Sequence, residues 1–189
     1  MQSSWPKAIG WIFEWEGSDV NISAGEPGGI SKYGVSLGTY REHCAKHGLP
    51  EPSFDDIKNM TADQASAFYR TAFANFIHFD DLPVGVDYRL LDVTIQLGLG
   101  GGPKLFASRL GQWATADMAV LASIARTIND TKALALSIGD GWIAIKSQSP
   151  TWLDYTDDHG VKQRGHGHGW TNRNVAANTN ALSLIGATS

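Results

Sequence analysis

Three residues near the amino terminus, Glu16, Glu26 and Ser31, have the types that hydrolysis of a glycosidic bond requires. An inverting glycosidase needs one carboxylic acid to protonate the leaving oxygen and a second carboxylate, here with a hydroxyl, to orient water on the opposite face. Nine residues separate the two glutamates and four separate Glu26 from Ser31, and the intervening glycines let the backbone turn sharply. The spacing leaves a second interpretation open, in which Glu26 is a solvated turn residue and Ser31 a turn or cap hydroxyl.

The position of Glu16 on a predicted helix distinguishes it from Glu14. One face of this helix is apolar and contains Trp5, Ala8, Ile9, Ile12 and Phe13. At about 100° per residue, Glu16 falls in the middle of that face and Glu14 falls away from it. A half-buried carboxyl loses hydration, which disfavours its charged form and suits a general acid. The alternative is that Glu16 ends the helix and swings into water, or pairs with a basic side chain such as Lys32.

Helical periodicity dominates the rest of the chain and predicts a mainly α fold. The glycine-rich residues 17–35 predict a loop or a small β-hairpin after the first helix. Further helices are expected from Ser36 to Gly48, after the capping box of residues 61–64, from Pro83 to a break at residues 100–103, and over about 103–111, 115–127, 130–147 and 171–184. Residues 148–169 are expected to form an irregular loop. No linker is long or polar enough to separate two independent domains, so residues 1–189 are predicted to form one.

Composition excludes several classes of protein. With 189 residues, 42% of them hydrophobic, the chain can bury a core. Its 15 basic and 19 acidic residues give a net charge of −4, which argues against coating of nucleic acid. No apolar run approaches the roughly 18 residues of a membrane span, and the first residues lack a secretory signal, so we expect synthesis in the cytoplasm. The single cysteine, Cys44, excludes an internal disulfide and a multi-cysteine zinc site.

The amino-terminal residues resemble the signature of glycoside hydrolase family 108, which comprises lysozyme-like N-acetylmuramidases found as phage endolysins and secretion-associated enzymes. The family pattern is Glu-Gly-Gly, a short loop, and Asp-Pro-Gly-Gly-x-Thr-x-x-Gly-Ile. This chain has Glu-Gly-Ser at residues 16–18 and Glu-Pro-Gly-Gly-Ile-Ser-Lys-Tyr-Gly-Val at residues 26–35. Later segments resemble the family's Phe-Asp-x-x-x-Asn-x-Gly, here residues 91–98, and its closing Gly-Trp-x-x-Arg, here residues 169–173.

The resemblance implies a lysozyme-like helical fold over 1–189, with a catalytic part at 1–82 and a helical part at 83–189 that corresponds to a peptidoglycan-binding module of relatives. It implies that Glu16 is the catalytic glutamate, and it puts Glu26 and Ser31 at the places of the family's Asp and Thr. The implied substrate is bacterial peptidoglycan, cleaved at the β-1,4 bond between N-acetylmuramic acid and N-acetylglucosamine without a cofactor. A holin, a secretion system or virion delivery would bring the enzyme to the wall in the periplasm.

The chain departs from the family pattern at several positions, among them Leu91 in place of phenylalanine and Gln96 in place of asparagine. Ser18 replaces a glycine, Glu26 is one methylene longer than aspartate, and Ser31 lacks the methyl of threonine. These departures motivate two alternatives to a muramidase. One is a non-catalytic peptidoglycan-binding or structural protein of a virion or secretion machine that keeps a lysozyme-like groove. The other is a different glycosidase, such as a chitinase.

Five residues are predicted to bind substrate: Tyr33, Asp92, Gln96, Trp170 and Arg173. Tyr33 follows the glycine turn and either stacks on a saccharide or packs in the core. Asp92 and Gln96 lie opposite the apolar stripe of their helix, either as a solvated pair or as a pair that lines the groove and binds N-acetyl groups. Arg173 either anchors the late loop through a carboxylate or lies at the surface, and Trp170 is included through its motif.

Three histidines, His159, His166 and His168, cluster near Asp157 and Asp158 and have the residue types of a zinc site. The flanking glycines instead favour a flexible polar lip over the substrate. We therefore predict no metal site.

Overall fold

Helices dominate the computed structural model, which describes residues 4–22, 28–115, 117–149, 155–156, 162–163 and 167–187. The mainly α prediction is confirmed. The chain divides into two compact units, one comprising Trp5–Asn75 and the other Met1–Ser4 with Phe76–Ser189. Within the described residues, no helix combines the length and the apolar character needed to cross a membrane.

The unit Trp5–Asn75 contains four helices and a small antiparallel sheet of order β1-β2-β3. Its helices are α1 (Trp5–Glu16), α2 (Leu37–Lys46), α3 (Phe54–Lys58) and α4 (Ala62–Tyr69), and α4 continues into a π-helical segment, Arg70–Ala74. Its strands are β1 (Asn21–Ile22), β2 (Ile30–Lys32) and β3 (Val35–Ser36). The hairpin predicted after the first helix is therefore present, with a third strand beside it.

Caps in the sequence explain where these helices begin. The Ser36 hydroxyl accepts from the Thr39 amide, and Thr61 forms the predicted capping box with Gln64. Helix α3 is not among the helices that the sequence predicts. Its five residues are too few for a periodic pattern, but a second capping box, between Ser53 and Asp56, is the signal that could have found it.

The turn between β2 and β3 consists of two residues, Tyr33 and Gly34, with φ of 52° and 73°. Two successive positive φ values match the right-handed twist of a two-residue hairpin. Glycine adopts this conformation freely, whereas a tyrosine does so only when its surroundings hold it. Below the turn, Ile12, Ile30 and Ile57 are fully buried and join α1, the sheet and α3 in one core.

The other unit is built on three long helices. Its helices are α5 (Val86–Arg109), α6 (Met118–Ala125), α7 (Thr131–Lys146) and α8 (Gly167–Gly186), preceded by a 3₁₀ turn at Phe79–Asp81. Helix α5 is broken at Gly98, with φ of 74° and ψ of 171°, so the predicted break at residues 100–103 is wrong by a few residues. Glycine at 98 adopts the positive φ there, and residues 100–103 continue as helix.

Two predictions for the carboxyl-terminal region are also corrected. Residues 148–169 are not wholly irregular, because β4 (Tyr155–Thr156) and β5 (Lys162–Gln163) pair as a two-stranded antiparallel sheet. Helix α8 begins at Gly167, and the Thr171 hydroxyl donates to the Gly167 carbonyl at 2.8 Å. The helix therefore begins before residue 171, its predicted start, and Thr171 lies inside it.

Asp87, in the first turn of α5, is a buried carboxylate that organises this end of the helix. It accepts hydrogen bonds from the amides of Gly85 and Tyr88, at 2.7 and 2.6 Å, and from the Ser4 hydroxyl. Burial raises the pKa of Asp87 to about 6, and its hydrogen bonds only partly oppose that shift.

Candidate active site

Glu16 is the last residue of α1 and is half-buried, while Glu14 is exposed. The two glutamates therefore have the opposite environments that the helical pattern predicts. The amide of Gly17 donates to the Phe13 carbonyl at 2.9 Å, and φ of 79° at Gly17 ends the helix. The Glu16 carboxyl is thus presented at a defined helix end.

Gly34 is the residue that lets the Glu16 side chain approach the β2–β3 turn. A Cβ at this position would lie 2.7 Å from Glu16 Oε2 and 2.6 Å from the Tyr69 hydroxyl oxygen. Both distances are far inside ordinary contact, so only glycine fits beside these two groups. A carboxyl and a phenolic hydroxyl therefore share one small space against the turn.

Tyr69 is the member of this site that the sequence analysis missed. It is buried at the end of α4, and its hydroxyl donates to the Tyr33 carbonyl at 2.9 Å. The hydrogen bond holds the strained Tyr33 backbone in place, so Tyr69 connects α4 with the turn that faces Glu16. The sequence showed Tyr69 only as part of an apolar helix face, and a buried tyrosine usually finds a partner for its hydroxyl.

Tyr33 contributes a half-buried ring to the same turn. The ring packs against Phe13 with centroids 5.0 Å apart, and the Lys32 ammonium lies 5.6 Å from its centre. The Lys32 ammonium also donates to the Lys58 carbonyl at 3.3 Å. Packing thus accounts for much of the Tyr33 ring, and its stacking on a saccharide stays a prediction.

Ser31 lies in β2, on the strand that leads to the turn. It is 8% exposed and pairs with Asn21 on one side and Ser36 on the other. The hydroxyl that was predicted to orient water therefore belongs to a residue of the sheet, three positions before Gly34. Glu26, the predicted second carboxylate, lies outside the described residues.

Cys44 is buried in α2, and burial, with a smaller contribution from Asp56, raises the pKa of its thiol. A raised thiol pKa reduces the thiolate population and hence the nucleophilicity. This environment is typical of a packing cysteine.

Asp92, in the other unit, lies in a buried ion-pair network. Its side chain has no exposed surface and pairs with Arg89 Nη1 at 2.6 Å and with Arg173 Nη2 at 2.8 Å, while Arg173 Nε donates to it at 2.9 Å. Of the two interpretations of Asp92 and Gln96, the solvated pair is therefore wrong, because the Asp92 side chain is fully buried. The face of α5 opposite its apolar stripe packs against α8, which brings Arg173 to Asp92. Because both carboxylate oxygens are occupied by arginines, this placement suits positioning of α8 better than contact with a sugar.

Arg89 is the residue of this network that the sequence analysis missed. It is fully buried, its Nε donates to Asn178 Oδ1 at 3.0 Å, and its Nη2 bonds Asn174. Burial lowers the pKa of the guanidinium, and Asp92 opposes that shift. Gly139 of α7 faces the same groups, since a Cβ there would lie 2.7 Å from Arg89 Nη2.

Arg173 pairs with a carboxylate, but that carboxylate is Asp92 of α5, so the pair joins α8 to α5 and the predicted anchoring of the late loop stays a prediction. The side-chain amide of Gln96 also lies against the Arg173 guanidinium, with one terminal atom 2.6 Å from both Nη atoms. One turn earlier on α8, the half-buried Trp170 ring lies 4.8 Å from the Lys146 ammonium. The structure therefore brings Asp92, Gln96 and Arg173 together, as three of the five predicted substrate-binding residues.

The histidine cluster falls largely outside the described residues. His159 and His166 are not among them, and His168 lies in α8 without a described side chain. Within the described ranges, no group of three or more His, Cys, Asp or Glu side chains could hold a metal ion.

Comparisons with known proteins bear on the fold and the family. Residues 9–98 match the profile of the family described as Glycosyl hydrolase 108, so the resemblance drawn from the signature is confirmed. The chain is also similar to the solved structure of Brucella abortus SagA, with 25% sequence identity and a TM-score of 0.74, over 96% of this chain and 95% of that one. The lysozyme-like helical fold is thereby confirmed. No curated protein matches the sequence.

Proposed function

We propose, from the premise that this chain carries a glycosyl hydrolase 108 domain over residues 9–98, that it cleaves the β-1,4 bond between N-acetylmuramic acid and N-acetylglucosamine with Glu16 as general acid. The family supports a glycoside hydrolase that acts on peptidoglycan, and the bond and the acid are our proposal. The single observation that carries it is the half-buried Glu16 carboxyl, held against the Gly34 turn beside the Tyr69 hydroxyl.

In the proposed reaction, Glu16 gives its proton to the glycosidic oxygen as the bond from that oxygen to the anomeric carbon breaks. Water adds its oxygen to the anomeric carbon, and Glu26 takes the proton that the water loses. Ser31 orients the same water through its hydroxyl. Inversion follows if the two carboxyl groups stand roughly 6.5–9.5 Å apart, which leaves room for that water.

The remaining predicted residues take two kinds of role. Tyr33, Gln96 and Trp170 are proposed to contact peptidoglycan directly, because each keeps some exposed surface. Asp92 and Arg173 are proposed to act by positioning α5 and α8, since each is buried in their ion pair. The protein would then be a cell-wall lytic enzyme of the endolysin or secretion-associated kind, delivered to the wall by a holin or a secretion machine.

Two isosteric variants on one helix test the proposal. Glu16→Gln removes the proton donor and is expected to lower the release of reducing ends from purified walls by about 10²–10⁴-fold. Glu14→Gln makes the same chemical change at an exposed position and is expected to keep wild-type activity. Full activity in Glu16→Gln would remove Glu16 from its role, and wall binding without any reducing ends from the wild type would favour the non-catalytic alternative.

A further inference from the structure

The Tyr69 hydroxyl lies where two uncommon backbone conformations meet. Its acceptor is the carbonyl of Tyr33, a non-glycine residue with φ of 52°. The backbone of Tyr69 ends α4 and leads directly into the π-helical segment Arg70–Ala74, where the Asn75 amide donates to the Arg70 carbonyl at 2.9 Å. A tyrosine at positive φ is strained, and single π-helical turns are rare and occur frequently at functional sites. Two such conformations at the two ends of one hydrogen bond indicate a role for that bond beyond packing.

The position of the Tyr69 hydroxyl is fixed, because the ring that carries it is packed on several sides. The buried ring lies against three aromatic side chains, with centroids 5.5–6.2 Å apart: Phe13, Phe68 and Phe73. The hydroxyl oxygen is 2.6 Å and Glu16 Oε2 is 2.7 Å from one point, which is where a Cβ of residue 34 would stand. The two oxygen atoms are therefore close neighbours in the space that Gly34 leaves open.

The single proton of the Tyr69 phenol decides what its hydroxyl can do for Glu16. While that proton is donated to the Tyr33 carbonyl, the oxygen offers only lone pairs to its other neighbours. Lone pairs do not stabilise a carboxylate, but they can accept a hydrogen bond from a carboxylic acid, so this state suits a Glu16 that still holds its proton. Once Glu16 has given its proton away, rotation about the phenolic C–O bond can direct the same O–H to the new carboxylate.

We propose that Tyr69 is a positioning residue that acts through Glu16, an inference that rests on the proposed function. Its hydroxyl donates to the Tyr33 carbonyl while Glu16 is protonated, and it turns to Glu16 Oε2 as the acid loses its proton. The proton of Glu16 moves to the glycosidic oxygen, and the Tyr69 proton stays on its own oxygen throughout. One hydrogen bond is thus exchanged for another. Because the new bond has a charged acceptor and forms only as the glycosidic bond breaks, it stabilises the transition state more than the bound substrate.

The first test compares Tyr69→Phe with Tyr40→Phe on soluble peptidoglycan fragments. Tyr69→Phe is expected to lower kcat and kcat/KM together by about 10–10²-fold and to leave KM unchanged, because the lost interaction exists only in the transition state. Tyr40→Phe removes the same hydroxyl from a half-buried tyrosine of α2 in the same unit and should keep the wild-type kcat. Rates are expressed per folded molecule, as judged by circular dichroism. A loss that appears in KM alone would contradict the inference.

The second test determines whether the loss passes through Glu16. In a Glu16→Gln background no carboxylate forms, so adding Tyr69→Phe should change the residual kcat by less than about twofold. A side chain that only maintains the fold would instead reduce kcat by the same factor in both backgrounds. That equal factor, or a wild-type kcat in Tyr69→Phe, would overturn the inference. Full activity in Glu16→Gln would overturn the proposed function and this inference together, whereas a large loss in Glu16→Gln beside an unaffected Tyr69→Phe would count only against Tyr69.

Discussion

Gly34→Ala perturbs the position of Glu16 without changing any group that could do chemistry. The added Cβ would lie 2.7 Å from Glu16 Oε2, whereas ordinary contact begins at 3.4 Å, so the carboxylate must move by about 0.7 Å. A misplacement of about 1 Å can reduce a catalysed rate by about a hundredfold. We therefore expect kcat/KM on soluble peptidoglycan fragments to fall by about 10²-fold.

The control for this variant is Gly48→Ala, in the same unit. Gly48 has φ of 66°, close to the 73° of Gly34, but a Cβ there meets nothing within 4 Å. Both variants should lose about 1–2 kcal/mol of unfolding free energy from the positive φ, and Gly34→Ala should lose more through crowding. Urea denaturation and activity per folded molecule are measured for both. Equal activity in the two variants would show that the contact at Gly34 does not position the acid.

Three further substitutions, at Asp92, Asp87 and Tyr69, test the hydrogen bonds and ion pairs of these buried side chains. Asp92→Asn leaves Arg89 buried without its counter-charge and should lower the unfolding free energy by about 3–5 kcal/mol, and a loss below about 1 kcal/mol in urea denaturation would contradict the ion pair. The folded-state pKa of Asp87 is raised from 3.8 to about 6, so stability should fall as pH rises from about 4 through about 6. Asp87→Asn should remove that pH dependence of stability. A variant whose melting temperature changes with pH as the wild type's does would contradict the assignment to Asp87. Tyr69→Phe removes the hydrogen bond to the Tyr33 carbonyl and should lower stability by about 1 kcal/mol, with a drop in activity that a purely structural bond would not cause.

Local signals in the sequence were sufficient for the amino-terminal elements. The contrast between Glu16 and Glu14 follows from helical periodicity alone, because both residues lie on one helix with a clear apolar stripe. Ser36 and the Thr61 capping box mark helix starts through hydrogen bonds between residues only three positions apart in the chain. Such features need no knowledge of the rest of the fold.

Long-range features were not predictable in the same way. The pattern of α5 alone places Asp92 on a polar face, which indicates a solvated residue. Its partner Arg173 is 81 residues away in the chain, so the pattern cannot show the ion pair. The role of Tyr69 depends on a turn 36 residues earlier. The break at Gly98 depends on which of several neighbouring glycines adopts positive φ, and the residue types alone do not distinguish them.

Mass spectrometry of a wall digest identifies the bond that is cleaved and the acid that cleaves it in one experiment. Purified peptidoglycan is digested, the products are reduced with borohydride, and the residue at each new reducing end is identified. We expect reduced N-acetylmuramic acid at the new ends with the wild type, and no new ends with Glu16→Gln. New ends of reduced N-acetylglucosamine, or the same products from both proteins, would contradict it.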